Sequence, residues 1–168
     1  MTMTPGLRKF ALTTHVTSSV GWLGAVGAFL ALAIAGLVSQ DTQIVRAAYL
    51  SMHLTTWFVI VPLCLAALLT GIVQSVGTTW GLFRHYWVLF KLLIAVFVTI
   101  VLLIYMETFS LMARVAADPG ADLGAVRNAS PALHAALALV VLLVAVVLAV
   151  YKPRGMTRYG WRKEHEQR

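Results

Sequence analysis

The sequence predicts an all-α fold, a four-helix transmembrane bundle of up-down topology with both termini cytoplasmic, and three observations carry that prediction. Of the 168 residues, 60% are hydrophobic and 11% charged, a balance that lipid accepts on every outer face and water does not. The apolar residues gather in four runs, Phe10 to Val38, Ala47 to Val73, Tyr86 to Tyr105 and Ala132 to Tyr151. Each reaches the roughly 20 residues that cross a hydrocarbon core about 30 Å thick, without the alternation of an outer-membrane strand. With the N-terminus inside, ten Lys and Arg fall on the cytoplasmic side, and only Arg46, Arg114 and Arg127 on the other. That asymmetry orients membrane helices.

Span one covers about residues 10–38. Ala31-Leu32-Ala33 resembles a secretory cleavage site, but the run exceeds a signal core of roughly 7 to 15 residues and reads as a retained helix. Gly21, Gly24 and Gly27, with Ala25 and Ala28, thin one wall of this span, so that a second helix or a flat cofactor can approach the backbone. A short connection around Ser39 to Thr42 leads to span two, about 47–73. Pro62 there lacks a backbone donor and is expected to bend the helix, leaving the Phe58 carbonyl without its usual partner. The lone Cys64 beside it reads as a small packed hydrophobe.

Span three follows a second short connection, around Gln74 to Thr79, and is expected to run over 83–117, including an outer extension that Asp118-Pro119-Gly120 breaks. Glu107 and Arg114, seven apart, share a face there and read as an interfacial ion pair or, more sharply, as an access point for protons or cations. Ser130-Pro131 opens span four, about 131–151, as N-cap and N1. Residues 152–168 form a basic cytoplasmic tail suited to anionic headgroups. The inner side carries a net +8 and the outer −1, which together give the chain's +7. Topology accounts for this charge, so no nucleic-acid partner is expected.

Four of the five histidines sit near span ends, one per span: His15, His53, His85 and His134. Imidazole is costly in lipid and is a common ligand of haem iron and transition metals. Measured from each run's midpoint by helical rise, His53 and His134 lie about 10 and 12 Å outward, and His15 and His85 about 13 and 16 Å inward. In an up-down bundle each level places two imidazoles on a diagonal, as a bis-histidine haem b requires. Two such sites would stand roughly 25 Å apart along the membrane normal. Ser18, Ser19 and Trp22 share the face of His15, and Tyr49, Thr56 and Trp57 that of His53, so hydroxyls one turn away are candidates to hold the second ring nitrogen. Arg84 and Lys91 flank His85 and are candidate partners for haem propionates, with snorkelling to lipid phosphate as the plainer role. Trp80, Tyr86 and Trp87 read as an aromatic belt. Each histidine taken alone reads first as an interfacial or hydrogen-bonding polar residue and only in the level pairs as a ligand, and His165 lies in the tail.

The stretches His15-Val16-Thr17-Ser18-Ser19-Val20-Gly21-Trp22-Leu23-Gly24-Ala25-Val26 and Trp80-Gly81-Leu82-Phe83-Arg84-His85-Tyr86-Trp87-Val88-Leu89-Phe90-Lys91 resemble a family of bacterial four-span integral membrane proteins without an assigned activity. They are distantly similar to copper-resistance-D-like and cytochrome-b-like helical bundles. The resemblance covers most of spans one to three and implies an inner-membrane bundle in which His15 and His85 lie in the recognisable segments. It has no activity to carry over.

The leading expectation is therefore a membrane protein holding one or two haem b groups on His15, His85, His53 and His134, passing electrons between a quinone or redox partner protein and an acceptor. The alternatives are a copper or other metal-handling protein using the same imidazoles, and a non-catalytic accessory subunit that docks on a larger complex or a second copy through its small-residue faces.

Overall fold

The computed structural model describes residues 3–78 and 81–165. Four of its helices are long and apolar enough to cross a membrane: α1 Pro5–Val38, α2 Thr42–Val76, α3 Tyr86–Ala117 and α4 Ser130–Tyr151. A short α5, Arg158–His165, follows. Trp80 of the expected aromatic belt, Thr79 of the second connection, and Glu166 and Arg168 of the tail lie outside the described residues.

Local chemistry sets the boundaries. Pro5 stands in the first turn of α1, where its missing donor costs nothing. Asp41 caps α2 by accepting from the Gln43 amide at 2.8 Å. Proline is accommodated inside α2 by a π-helical turn, Thr56–Ile60, in which the Val61 amide donates to the Thr56 carbonyl. A π turn shifts the hydrogen-bond register one residue and so absorbs the donor that Pro62 lacks. α3 begins at Tyr86, with His85 extended before it, and ends at Ala117 beside Asp118. Ser130 proves to be the first residue of α4 rather than its cap. Its amide donates to the Asn128 side chain at 2.9 Å, which leaves its hydroxyl to the interior.

The helices pack in ring order, α1 against α2 and α4, α3 against α2 and α4, so α1/α3 and α2/α4 stand on the diagonals. The Met3 amide donates to Gly77 and the Tyr86 amide to Gly155, both at 3.3 Å. Both termini and the α2–α3 connection thus share one end, here the terminal end, and the other two connections form the distal end. Two arginines close helices at the distal end. Arg46 donates to the carbonyls of Val115, Ala116, Asp118, Pro119 and Ala121, and Arg127 to those of Leu37 and Ser39. Cations placed on C-terminal carbonyls satisfy orphan acceptors and oppose the helix dipole.

The apolar core lies towards the distal end, where Trp22, Phe29, Tyr49, Met52, Cys64, Phe109 and Met112 are buried together. The Phe29 and Phe109 rings meet edge to face at 5.1 Å. Cys64 is fully buried and free, a packed small side chain as expected. Of the small-residue wall of α1, Gly21 faces Leu63, but a side chain at Gly24 or Gly27 would meet open space. The tightest glycine of α1 against α2 is instead Gly36, where a Cβ would come within 2.7 Å of the Tyr49 ring. Glu107 and Arg114 are both exposed, and among the described residues no ion pair joins them, because seven residues of helix hold their side chains two turns apart.

Candidate functional site

Towards the terminal end the four helices draw apart around a cavity of about 740 Å³. Its walls are apolar at depth, with Trp22, Leu23, Ala67, Trp87, Val88 and Leu142. Its polar side chains include His15 and Ser19 from α1, Gln74 and Ser75 from α2, Thr78 just after it, and Lys91 from α3. Arg8 and Lys152 stand at its mouth. Among the described residues no acidic side chain lines it, so the interior favours an anion.

His15 is held from the neighbouring helix, α2. Its Nδ1 lies 3.1 Å from the Thr70 hydroxyl, and that hydroxyl already donates to the Ala66 carbonyl at 2.5 Å. With its proton committed, the Thr70 oxygen accepts, which assigns the hydrogen to Nδ1 and leaves the lone pair on Nε2. Nε2 is then the nitrogen available to a metal or a ligand hydrogen. Gly71 makes room for this ring, since a Cβ there would stand 3.0 Å from the imidazole Cε1. The hydroxyls expected to fix His15 from its own face do not: Ser18 donates to backbone carbonyls of Thr14 and His15. A serine one turn along a helix reaches a carbonyl more easily than a neighbouring ring.

The remaining candidates are dispersed. His85 does not line the cavity. It pairs in an isolated antiparallel bridge with Met156, where the tail folds back along 83–86. The Thr157 amide donates to the Arg84 carbonyl at 2.9 Å and its hydroxyl to Phe83 at 2.5 Å. Gly160 packs so closely that a Cβ would lie 2.4 Å from the Arg84 carbonyl oxygen. Arg84 is likewise absent from the cavity wall, its side chain lying over Gly81, whose φ of 62° turns the chain. Of the two basic candidates only Lys91 faces the cavity, its ammonium 5.7 Å from the Trp87 ring centroid.

At the distal level, His134 lines a cavity an order of magnitude smaller, about 70 Å³, with Trp22, Phe29 and Tyr105. Its Nδ1 donates to the Ser130 carbonyl at 2.8 Å, and its ring stands 4.1 Å from that of Tyr105. His53 is not on that wall. Its Nδ1 is buried without a partner among the described residues, because the Thr56 hydroxyl donates to Met52 and the Tyr49 hydroxyl points to Gly36. Among the described residues no three His, Cys, Asp or Glu side chains converge.

Arg8, Gln74, Ser75 and Lys152 are cavity residues that the sequence reading did not single out. Part of the signal was present: Arg8, Leu12, His15, Ser19 and Trp22 follow one helical stripe, and all five line the cavity. Comparison with known proteins returns no match, whether to a family model, a curated protein or a solved structure.

Proposed function

We propose that the chain is an inner-membrane haem b protein for electron transfer, with both termini cytoplasmic and the macrocycle held in the large cavity by His15. The observation that carries this reading is one imidazole, its Nδ1 hydrogen committed to Thr70, on the wall of a cavity of about 740 Å³ with cations at its mouth. The volume falls within the roughly 300–1,000 Å³ of ordinary cofactor sites. A b-type haem supplies a one-electron couple. This chain's residues would bind and orient it: His15 Nε2 towards the iron, Arg8, Lys91 and Lys152 towards the carboxylates, Trp22, Trp87 and Leu142 against the ring. The positive charge around the mouth is also the charge that the positive-inside rule places in the cytoplasm.

The reading narrows four candidate histidines to one. Expressed with haem available and purified, the protein should show a Soret band, which His15→Ala removes and which His53→Ala, His85→Ala and His134→Ala retain. No Soret band and no iron in the parent, from cells that load other haem proteins, would refute it. Loss of the band in His134→Ala alone would move the site to the distal level.

A further inference from the structure

Besides its mouth at the terminal end, the cavity has one strongly exposed apolar flank, which in a bilayer would face lipid. Every strongly exposed apolar side chain on its wall belongs to α1 or α4: Leu12, Val16 and Val20 are 51%, 50% and 63% exposed, and Val146 and Val150 are 42% and 70%. The α2 and α3 residues of the same wall are buried or half-buried. Consistent with this, α4 buries nothing after Leu142, and α1 buries only Ala11 before Ser18. The two helices meet in the distal half, around Trp22, Phe29 and Ala135, and both line the cavity towards the terminal end.

A gap between two spanning helices at that depth is bathed in acyl chains, not water. Its charged flanks are specific as well. Arg8 at the start of α1 and Lys152 just past α4 stand on the two helices that border the gap, and Lys91 lies within. From Arg8 to Val20 the gap runs about 18 Å, deeper than one leaflet's roughly 15 Å share of the hydrocarbon core. We infer that this gap is a lateral portal through which one anionic phospholipid of the adjacent leaflet occupies the cavity, its phosphate between Arg8, Lys91 and Lys152 and an acyl chain along Val16, Val20 and Val146. The proposal goes beyond the haem reading and requires only that the helices span a bilayer; haem, where it binds, displaces this lipid from the same cavity.

Trp22 and Trp87 report on it, because both line the cavity and both are buried, so lipid around the outside of the bundle does not reach them. A chain carrying Trp57→Phe, Trp80→Phe and Trp161→Phe is reconstituted in vesicles whose acyl chains are brominated, either in phosphatidylglycerol or in phosphatidylcholine. Half-maximal quenching should occur at a mole fraction of the anionic lipid about fivefold lower, the preference that roughly one effective cation confers. Equal mole fractions, or no quenching, overturn the proposal. Val146→Phe with Ala149→Phe fills the gap from α4 and should abolish the quenching, and quenching that persists shows the portal to be wrong. The parent chain gives a check that needs no variant: mass spectrometry of the intact protein from detergent, after reconstitution in an equal mixture of the two lipids, should find one retained phosphatidylglycerol. No retained lipid, or both lipids equally, overturns it. A chain that retains the lipid but never binds haem loses only the haem reading, and one that binds haem but retains no lipid loses only this one.

Discussion

Towards the distal end, Trp22, Phe29, Met52, Ile60 and Phe109 are each no more than 5% exposed, and two arginines tie off the helix ends. Towards the terminal end the same four helices surround about 740 Å³ and bury few side chains. One half is built as a core and the other as a container. Within a membrane such a division is permitted, because helices are held by packing and interhelical hydrogen bonds, and half of a bundle can hold the rest in register. Stability and function should therefore separate along the bundle axis.

The largest effect should come from emptying the core. Met52 is 1% exposed, and Met52→Ala is expected to destabilise the protein by about 2–4 kcal/mol, seen as a lower Tm in detergent. Val16→Ala and Val20→Ala, on the container, should stay within about 0.5 kcal/mol. A Val20→Ala loss as large as that of Met52→Ala would break the comparison.

Next comes the distal closure. Arg46 serves five carbonyls at the end of α3, so Arg46→Gln should cost about 1.5–3 kcal/mol, as charge-assisted hydrogen bonds do, with Arg46→Lys recovering little. Amide exchange would place the opening in 112–121, leaving the terminal end protected as before. Uniform loss of protection along the chain would show that the halves unfold as one.

Much of the architecture was legible in the chain. Apolar run length gave the four spans, Asp118-Pro119-Gly120 the end of α3, and diagonal order followed from short connections. The histidine levels were legible only as heights. Helical rise fixes depth along the bundle but not the direction a side chain takes around it, so His15 and His85 share a level while one lies on the cavity wall and the other against the tail. Neither the Thr70 hydrogen bond nor the Arg46 closure has a local signature, since each joins residues 55 or about 70 positions apart. The cavity between α1 and α4 leaves no periodic trace either, because residues facing lipid and residues facing an apolar cavity are drawn from the same set.

A sharper comparison uses two glycines of α1. Gly36→Ala pushes a methyl to 2.7 Å from the Tyr49 ring and should cost about 1–3 kcal/mol by overpacking. Gly24→Ala meets open space and should be neutral or stabilising by up to about 1 kcal/mol, from helix propensity alone. A destabilising Gly24→Ala in the membrane would mean that a second chain covers this face, a result read directly from its oligomeric state.

The smallest change in stability with the clearest change in chemistry is expected at Gly71. A Cβ there stands 3.0 Å from Cε1 of His15, and the ring can yield because open cavity lies beyond it. Gly71→Ala should therefore cost less than about 0.5 kcal/mol, unlike the same substitution at Gly36, where packed side chains surround the ring. What it loses is the bond to Thr70. Nitrogen-15 spectra of labelled histidine should show the parent His15 as a single tautomer with its hydrogen on Nδ1, and the variant as a mixture in which Nε2 carries the hydrogen part of the time. Thr70→Val, which removes the acceptor without crowding the ring, should give the same mixture. A parent that already shows both tautomers would mean that Thr70 does not orient His15, and the cavity would lose its one prearranged ligand.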